Sequence, residues 1–387
     1  MIMAIALLLI VVGSVLFHIF NPWWTTPLAS NWQRMDDTLS ITLVITGIFF
    51  VAINLFVVYT LLRFRHREGR RAAHEPENKT LERWLIGGTT VGIMALLAPG
   101  LVVYASYVKE PRDALVLEVL GQQWQWRFRF PGADGKLGAT DARFVSAGNP
   151  FGLDPADPAG QDDILVAADE VHLPIGKPVL VLMRSHDVLH DFYVPPFRAR
   201  MNTVPGQVSR FWFTPTRAGR YEALCAQLCG VGHPNMRGFV VVEDAASFQA
   251  WQAALPTFAR TQAAAPAAPP GAPGAGGADA RVEQGRALAQ SKGCVACHTI
   301  DGSARVGPSW KGLYGKTETM TDGSTARVDE DYLRSFIRDP QARQVKGYPP
   351  VMPRLEVSDE ELAALVAYIQ SLGAAPAPAA TEQKAQR

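Results

Sequence analysis

Cysteine is scarce. The 387 residues hold four, Cys225, Cys229, Cys294 and Cys297. They stand as two close pairs far apart, which excludes a dispersed disulfide scaffold. An excess of either sign of charge is missing as well. The formal net charge is +1, and the lack of a basic footprint argues against a nucleic-acid partner. Lys, Arg, Asp and Glu are absent from three long stretches, from Met1 to about Phe20, Thr38 to Leu62 and Trp84 to Val108. A buried core helix is the alternative, and uninterrupted apolar runs that long argue against it. Elsewhere charge is plentiful: hydrophobic residues make up 48% of the chain and charged residues still 19%. That mixture fits a protein partly in lipid and partly in water. Its length predicts two or three domains.

The second and third runs hold 25 residues each, enough to cross a hydrocarbon layer roughly 30 Å thick. The membrane anchor is therefore placed over 1–108, with two or three transmembrane helices at about 1–20, 38–62 and 84–108. A cleaved secretory signal is the alternative for 1–20. No Lys or Arg precedes that run and no Ala-x-Ala cleavage site is evident, so a retained helix is expected. No cysteine stands near residue 20, which excludes a lipoprotein anchor. Basic residues crowd one loop, RFRHREGRR (63–71) with Lys79 and Arg83, whereas the 21–40 loop holds only Arg34. Basic loops stay in the cytoplasm. The expected location is a bacterial plasma membrane, multi-pass, with everything after Lys109 on the periplasmic side.

Beyond Leu115 the pattern turns to strands. In WQWRFRF, Trp124, Trp126, Phe128 and Phe130 alternate with polar residues, the period of a half-buried strand. KPVLVLMRS, VSRFWFTP, GRYEALC and RGFVVVE follow, punctuated by Pro and Gly. Such spacing predicts an all-β sandwich or Greek-key barrel over 109–256. The Gly-, Asp- and Pro-rich stretch 131–161 reads as a long surface insertion. The segment 257–278 contains AAAPAAPPGAPGAGG, which cannot bury a core and reads as a semi-stiff linker. Helical patterns return over 279–373, including SDEELAALVAYIQSLG with Ser358 and Glu361 at capping-box spacing. The tail 374–387 is expected to be disordered.

Two constellations carry chemistry. In ALCAQLCGVGHPNMRG, Cys225 and Cys229 precede His233 and Met236, and His190 lies upstream in SHDVLHDFYVP. Thiolate, imidazole and thioether suit copper in electron transfer. One Cys would make a mononuclear site; the second lets two thiolates bridge two copper ions. A disulfide, or a copper-delivery Cys pair on a thioredoxin-like fold, are the bland alternatives. The second needs strand–helix alternation, and both flanks here read as strands. The other constellation is CVACH (Cys294 to His298), in which two thiols attach a c-type haem and His298 binds the iron. Its bland alternative is a zinc site. Met352 and Met320 compete for the sixth position.

From the second span to about Val242 the chain resembles cytochrome c oxidase subunit II, with its dinuclear CuA centre in a cupredoxin-like domain. The resemblance implies copper ligands at His190, Cys225, Cys229, His233, Met236 and the backbone carbonyl of Gln227. It implies an electron-accepting role for Trp124 in GQQWQW, where a core aromatic is the alternative. It also implies a proton-uptake role for Glu82, where a solvated helix-start carboxylate is the alternative. Gln227 stands where Glu is common, Asn202 where Asp is, and Gln122 where His is. The carbonyl ligand survives the first change; the carboxylate of a magnesium site shared with subunit I does not. YPPVMPRL resembles the Met loop of small class I cytochromes c, which favours Met352. By the same likeness Gly285 and Tyr368 lie where the first and last helices cross, and Pro308 backs His298.

The expected architecture is thus multidomain: transmembrane helices, an all-β cupredoxin-like Greek-key domain and an all-α class I cytochrome c domain. The expected cofactors are two copper ions and one covalently bound haem c. The expected function is subunit II of a respiratory cytochrome c oxidase, taking electrons from a cytochrome c or a quinol–cytochrome c reductase. They would pass to subunit I, accompanied by subunit III, where oxygen is reduced to water with proton pumping. Within the three apolar runs His18 is the single histidine, so the oxygen chemistry belongs to a partner. The alternatives are a CuA-type nitric oxide reductase subunit and a stand-alone electron-transfer or copper-delivery module.

Overall fold

The charge-free runs fold as three helices, α1 (Ile2–Phe20), α2 (Gln33–Arg63) and α3 (Lys79–Val108). The computed structural model describes residues 2–20, 26–69, 71, 77–146, 148–166, 168–264, 278–303 and 305–373. All three helices are long and apolar enough to cross a membrane. Large side chains such as Phe56, Trp84 and Val91 stay exposed along them, a cost in water that lipid or partner helices remove. Helices α2 and α3 start upstream of their apolar runs. A polar first turn is tolerated at a helix end, where Asn78 caps α3 by accepting the Leu81 N–H at 3.0 Å.

The two helices that flank the basic loop also seat the next domain. Trp32 is buried near the start of α2 and donates its indole N–H to the Trp212 carbonyl (2.8 Å). Trp212 in turn donates to the Ser106 carbonyl in α3 (2.8 Å). Tyr107 accepts the Arg200 N–H at 2.9 Å and meets Trp32 edge-on, centroids 5.2 Å apart. Arg198 pairs with Asp36 at 2.7 Å. One buried and one half-buried indole, each with its N–H satisfied, make a stiff junction.

Beyond the three helices come ten strands: β1 (Leu115–Gln122), β2 (Gln125–Phe130), β3 (Ile164–Val166), β4 (Glu170–Pro174), β5 (Val179–Ser185), β6 (His190–Val194), β7 (Ala199–Thr203), β8 (Ser209–Phe213), β9 (Gly219–Cys225) and β10 (Arg237–Glu243). They form two five-stranded sheets, ordered β3-β2-β1-β5-β8 and β4-β10-β9-β6-β7. The period-two pattern decides the faces. Trp126, Phe128 and Phe130 point into the core with Leu117, Val119, Phe192, Phe211, Val240 and Val242. Each such side chain contributes about 1.5–3 kcal/mol of burial.

The alternation in β2 has one exception. Arg129 is fully buried, because the 131–161 stretch folds over the outer face of its sheet. Its guanidinium is paired with Glu118 and with Asp163 (2.8 Å), and donates to the Gly138 carbonyl. Phe151 and Leu153 of that stretch are buried with Leu120, Leu165 and Phe258. The expected surface insertion is therefore a packed layer with its own small core. A second correction concerns the linker. After α4 (Ala245–Ala254), α5 (Phe258–Ala264) is helical, with Phe258 fully buried and its N–H donated to the Asp163 carbonyl at 2.7 Å. The expected start at residue 257 is thus too early, since a buried aromatic anchors the chain beyond it. Residues 265–277 and the expected disordered tail 374–387 lie outside the described residues.

The last domain is helical: α6 (Ala278–Ser291), α7 (Glu330–Arg338) and α8 (Asp359–Ser371), interrupted by a small hairpin of β11 (Thr317–Thr319) and β12 (Thr325–Arg327). Helices α6 and α8 cross at Gly285, where a Cβ would meet the Ala364 carbonyl oxygen at 2.0 Å and Tyr368 Cβ at 2.7 Å. Ser358 and Glu361 form the capping box that starts α8.

Candidate metal centre and haem site

Strand pairing assembles the first site. His190 opens β6 and Cys225 ends β9, and these neighbouring strands put Phe192 opposite Cys225. The chain then loops through Cys229 to a single helical turn at His233–Asn235 and on to Met236. The Cys225 N–H donates to the Met236 carbonyl (3.1 Å) and the Ala226 N–H to the Asp191 carbonyl (2.9 Å), closing the loop against both strands.

Inside it the donor atoms converge. Cys225 Sγ and Cys229 Sγ are 3.7 Å apart, both free. Cys229 Sγ lies 3.6 Å from His233 Nδ1 and 3.9 Å from Met236 Sδ. Cys225 Sγ lies 3.1 Å from the Gln227 carbonyl oxygen. Ligand atoms of His190, Cys225 and Cys229 are within 4.8 Å of one another. Every residue expected as a copper ligand is thus in one cluster.

Its electrostatics fit a cation pair. Hydrogen bonding from Cys229 pulls the Cys225 thiol down to about 3, against the upward pull of burial. The Cys229 thiol is pushed up by the same neighbour and by burial. One proton leaves readily and the second is held, because a second thiolate would sit beside the first without compensation; a bridging cation removes that conflict. Burial lowers the affinity of His190 for a proton, but the bond to the Asp187 carboxylate and the negative charge of Cys225 outweigh it and leave its pKa raised. Asp187 Oδ1 holds His190 Nε2 at 2.8 Å. The other ring nitrogen, Nδ1, is buried without a hydrogen-bond partner. A carboxylate on one nitrogen and a vacant lone pair on the other is the arrangement of a metal-ligating histidine. The residues fit two copper ions. Asp187 was legible in SHDVLH, three residues before His190, but not recognised as its partner.

The second site is a cavity of about 490 Å³ in the helical domain, in the range of cofactor pockets. Cys294, Cys297, His298 and Met352 all line it. Met320 is buried elsewhere, in a β-bridge with Val345, and is not among the lining residues. His298 Nδ1 donates to the Pro308 carbonyl at 2.8 Å, as the likeness implied, which leaves Nε2 for a ligand. Trp310 stacks on the imidazole with centroids 5.2 Å apart. Gly307 lets the backbone approach: a Cβ there would meet His298 Cε1 at 2.6 Å. Burial pushes the Cys294 thiol up to about 12 and raises Cys297 too. The residues fit a haem c.

Trp124 lies between the two sites. Its indole N–H donates to the Cys229 carbonyl at 3.1 Å, and its ring borders the haem cavity beside Gln123 and Val231. Gly232 makes room for it, since a Cβ would fall 2.2 Å from the indole. Glu82 is far from both, exposed in the first turn of α3.

Known proteins identify the two domains that hold these sites. The family model "Cytochrome C oxidase subunit II, periplasmic domain" matches residues 115–244, and "Cytochrome c" matches 282–373. The "Alternative cytochrome c oxidase subunit 2" of Bradyrhizobium diazoefficiens is 56% identical over 259 residues, covering 67% of this chain and 94% of its own. The "Cytochrome c oxidase subunit 2" of Alkalihalophilus pseudofirmus is 22% identical over 357 residues, 88% of this chain and 87% of its own. Among solved structures, the periplasmic domain of subunit II of cytochrome oxidase from Bradyrhizobium japonicum is 25% identical, covering 37% of this chain and 94% of its own, with a TM-score of 0.27. A relative this similar over nearly its whole length, with a cytochrome c match after the subunit II match, settles the family: the chain belongs to cytochrome c oxidase subunit II, fused to a cytochrome c domain.

Proposed function

We propose that this chain is the electron-accepting subunit of a proton-pumping cytochrome c oxidase, with haem c and the dinuclear copper pair in series ahead of subunit I, where oxygen is reduced to water. The observation that carries it is the position of Trp124, bonded to the Cys229 carbonyl and bordering the haem cavity. The two groups, when bound, would supply one-electron carriers that change little in shape on reduction.

The chain's own residues do the holding. His190, Cys225, Cys229, His233, Met236 and the Gln227 carbonyl would hold the copper pair, with Asp187 orienting His190. Cys294 and Cys297 would carry the haem covalently, with His298 and Met352 as axial ligands. Trp310 and Pro308 orient His298. Burial of Cys225, Cys229, His190 and Met236 excludes water from the copper ligands. The domains are assigned as anchor 1–108, copper domain from 109 through α5, and cytochrome domain 279–373. The three helices would cross the bacterial plasma membrane, with both metal domains on the periplasmic side, consistent with the basic 63–71 loop. Subunit III, and a cytochrome c or a quinol–cytochrome c reductase as donor, complete the proposed partners. Glu82, in the first turn of α3, is the proton-uptake candidate at the cytoplasmic face.

The test is spectroscopic and catalytic together. The full chain, loaded with copper and haem, is expected to give the electron paramagnetic resonance of a mixed-valence copper pair and a low-spin haem spectrum. Membranes holding its complex are expected to consume oxygen. A lone copper ion or a cystine joining Cys225 and Cys229 sinks the copper assignment; consumption of nitric oxide without oxygen selects a reductase instead.

A further inference from the structure

Between the two sites the hydrogen bonds converge on Gln123, which ligand chemistry alone does not single out. Its backbone N–H donates to Asp187 Oδ2 at 2.7 Å, and Asp187 Oδ1 holds His190 Nε2 at 2.8 Å. Its side-chain amide donates to the Cys229 carbonyl at 2.8 Å, the same oxygen that takes the Trp124 indole N–H at 3.1 Å. Its own carbonyl faces the cytochrome domain: a Cβ on Gly293, next to Cys294, would come within 2.7 Å of the Gln123 oxygen. Gly293 has φ +72, a left-handed conformation that glycine adopts freely. One residue therefore touches the outer partner of one copper ligand, the carbonyl of another and the loop that carries the haem thiols.

We propose that Gln123 is a positioning residue for transfer between the two metal sites, locking the Cys229 loop and the His190–Asp187 pair while setting the contact with the haem loop. The inference rests on the reading of those sites as a copper pair and a haem c. The chemistry requires a neutral donor. A carboxylate of the same shape cannot donate to the Cys229 carbonyl and would set a charge against it, and a thioether of similar length offers no hydrogen. Outer partners of metal ligands fix ligand orientation and tune the metal.

The experiment uses the full chain loaded with copper and haem, unaltered and as Gln123→Glu, Gln123→Met and Gln123→Ala. Copper electron paramagnetic resonance, copper reduction potential and the rate of haem-to-copper transfer after photoreduction of the haem are read together. The expected result is an altered copper spectrum or potential in all three variants, transfer slowed on the order of tenfold, and an unchanged haem spectrum. Gly293→Ala approaches the contact from the haem side, so it should slow transfer while leaving the copper spectrum alone. It keeps the inference testable should the Gln123 variants lose copper. No haem-to-copper transfer in the unaltered chain overturns the proposed function and this inference with it. Transfer that is normal there and unslowed in every variant, with an unaltered copper spectrum and potential, overturns the inference alone.

Discussion

Met352 and Met320 both follow CVACH, and spacing does not separate them. Position does. Met352 lines the cavity with His298, whereas Met320 is buried outside that lining. A thioether ligand raises a haem potential, so Met352→Ala is expected to lower the reduction potential of the haem. Met320→Leu is a volume-conserving swap costing less than about 1.5 kcal/mol and should leave the potential unchanged. Potentiometric titration of both variants decides the ligand; a drop confined to the Met320 variant would reverse the assignment. At the copper site, Asp187→Asn removes the carboxylate from His190 Nε2. Copper affinity is expected to fall about 10–100-fold, read by competition with a chelator. An affinity unmoved by the change would leave Asp187 a surface carboxylate.

At the scale of elements, the packing of α6 on α8 depends on one missing side chain. A Cβ at Gly285 would overlap the Ala364 carbonyl at 2.0 Å, so the helices must part to admit even alanine. Gly285→Ala is expected to destabilise the cytochrome domain by about 1–3 kcal/mol. A denaturant midpoint equal to that of the unaltered chain would mean the crossing has slack. The strands obey the same logic of close approach. GRYEALC and RGFVVVE were legible as strands from their composition, and they pair as β9 and β10. The short strands β3, β4, β6 and β7 were not, because three to five residues without the aromatic alternation that marks β8 do not stand out from loops. Arg129 was misread for a related reason. A strand's alternation reports one sheet face, and it cannot foresee that residues 131–161 return to cover the other.

For the whole molecule, the copper domain and the cytochrome domain are held in different ways. Trp32, Trp212 and Tyr107 lock the sandwich to α2 and α3 through partly buried hydrogen bonds. The cytochrome domain is joined through the Ala-, Pro- and Gly-rich stretch 265–277. A tether of that composition keeps two sites at an effective concentration on the order of millimolar. Cutting an engineered protease site within 265–277 is therefore expected to leave the copper spectrum intact and make haem-to-copper transfer depend on protein concentration. Transfer that stays independent of dilution after complete cleavage would mean that the interface itself, rather than the tether, holds the domains together.

Local chemistry was decided by the sequence alone. Three runs without charge, a Cys-x-x-x-Cys with His and Met close behind, and CVACH each lie within one short segment, so their spacing already constrains their geometry. What needed the tertiary structure was everything assembled from distant segments. Pairing of β6 with β9 brings His190 to the cysteines, the cavity wall brings Met352 to the side of His298, and docking of the helical domain sets Trp124 and Gln123 between the sites. Those contacts depend on sheet order and on close packing across domains, and neither quantity is written in any single stretch of residues.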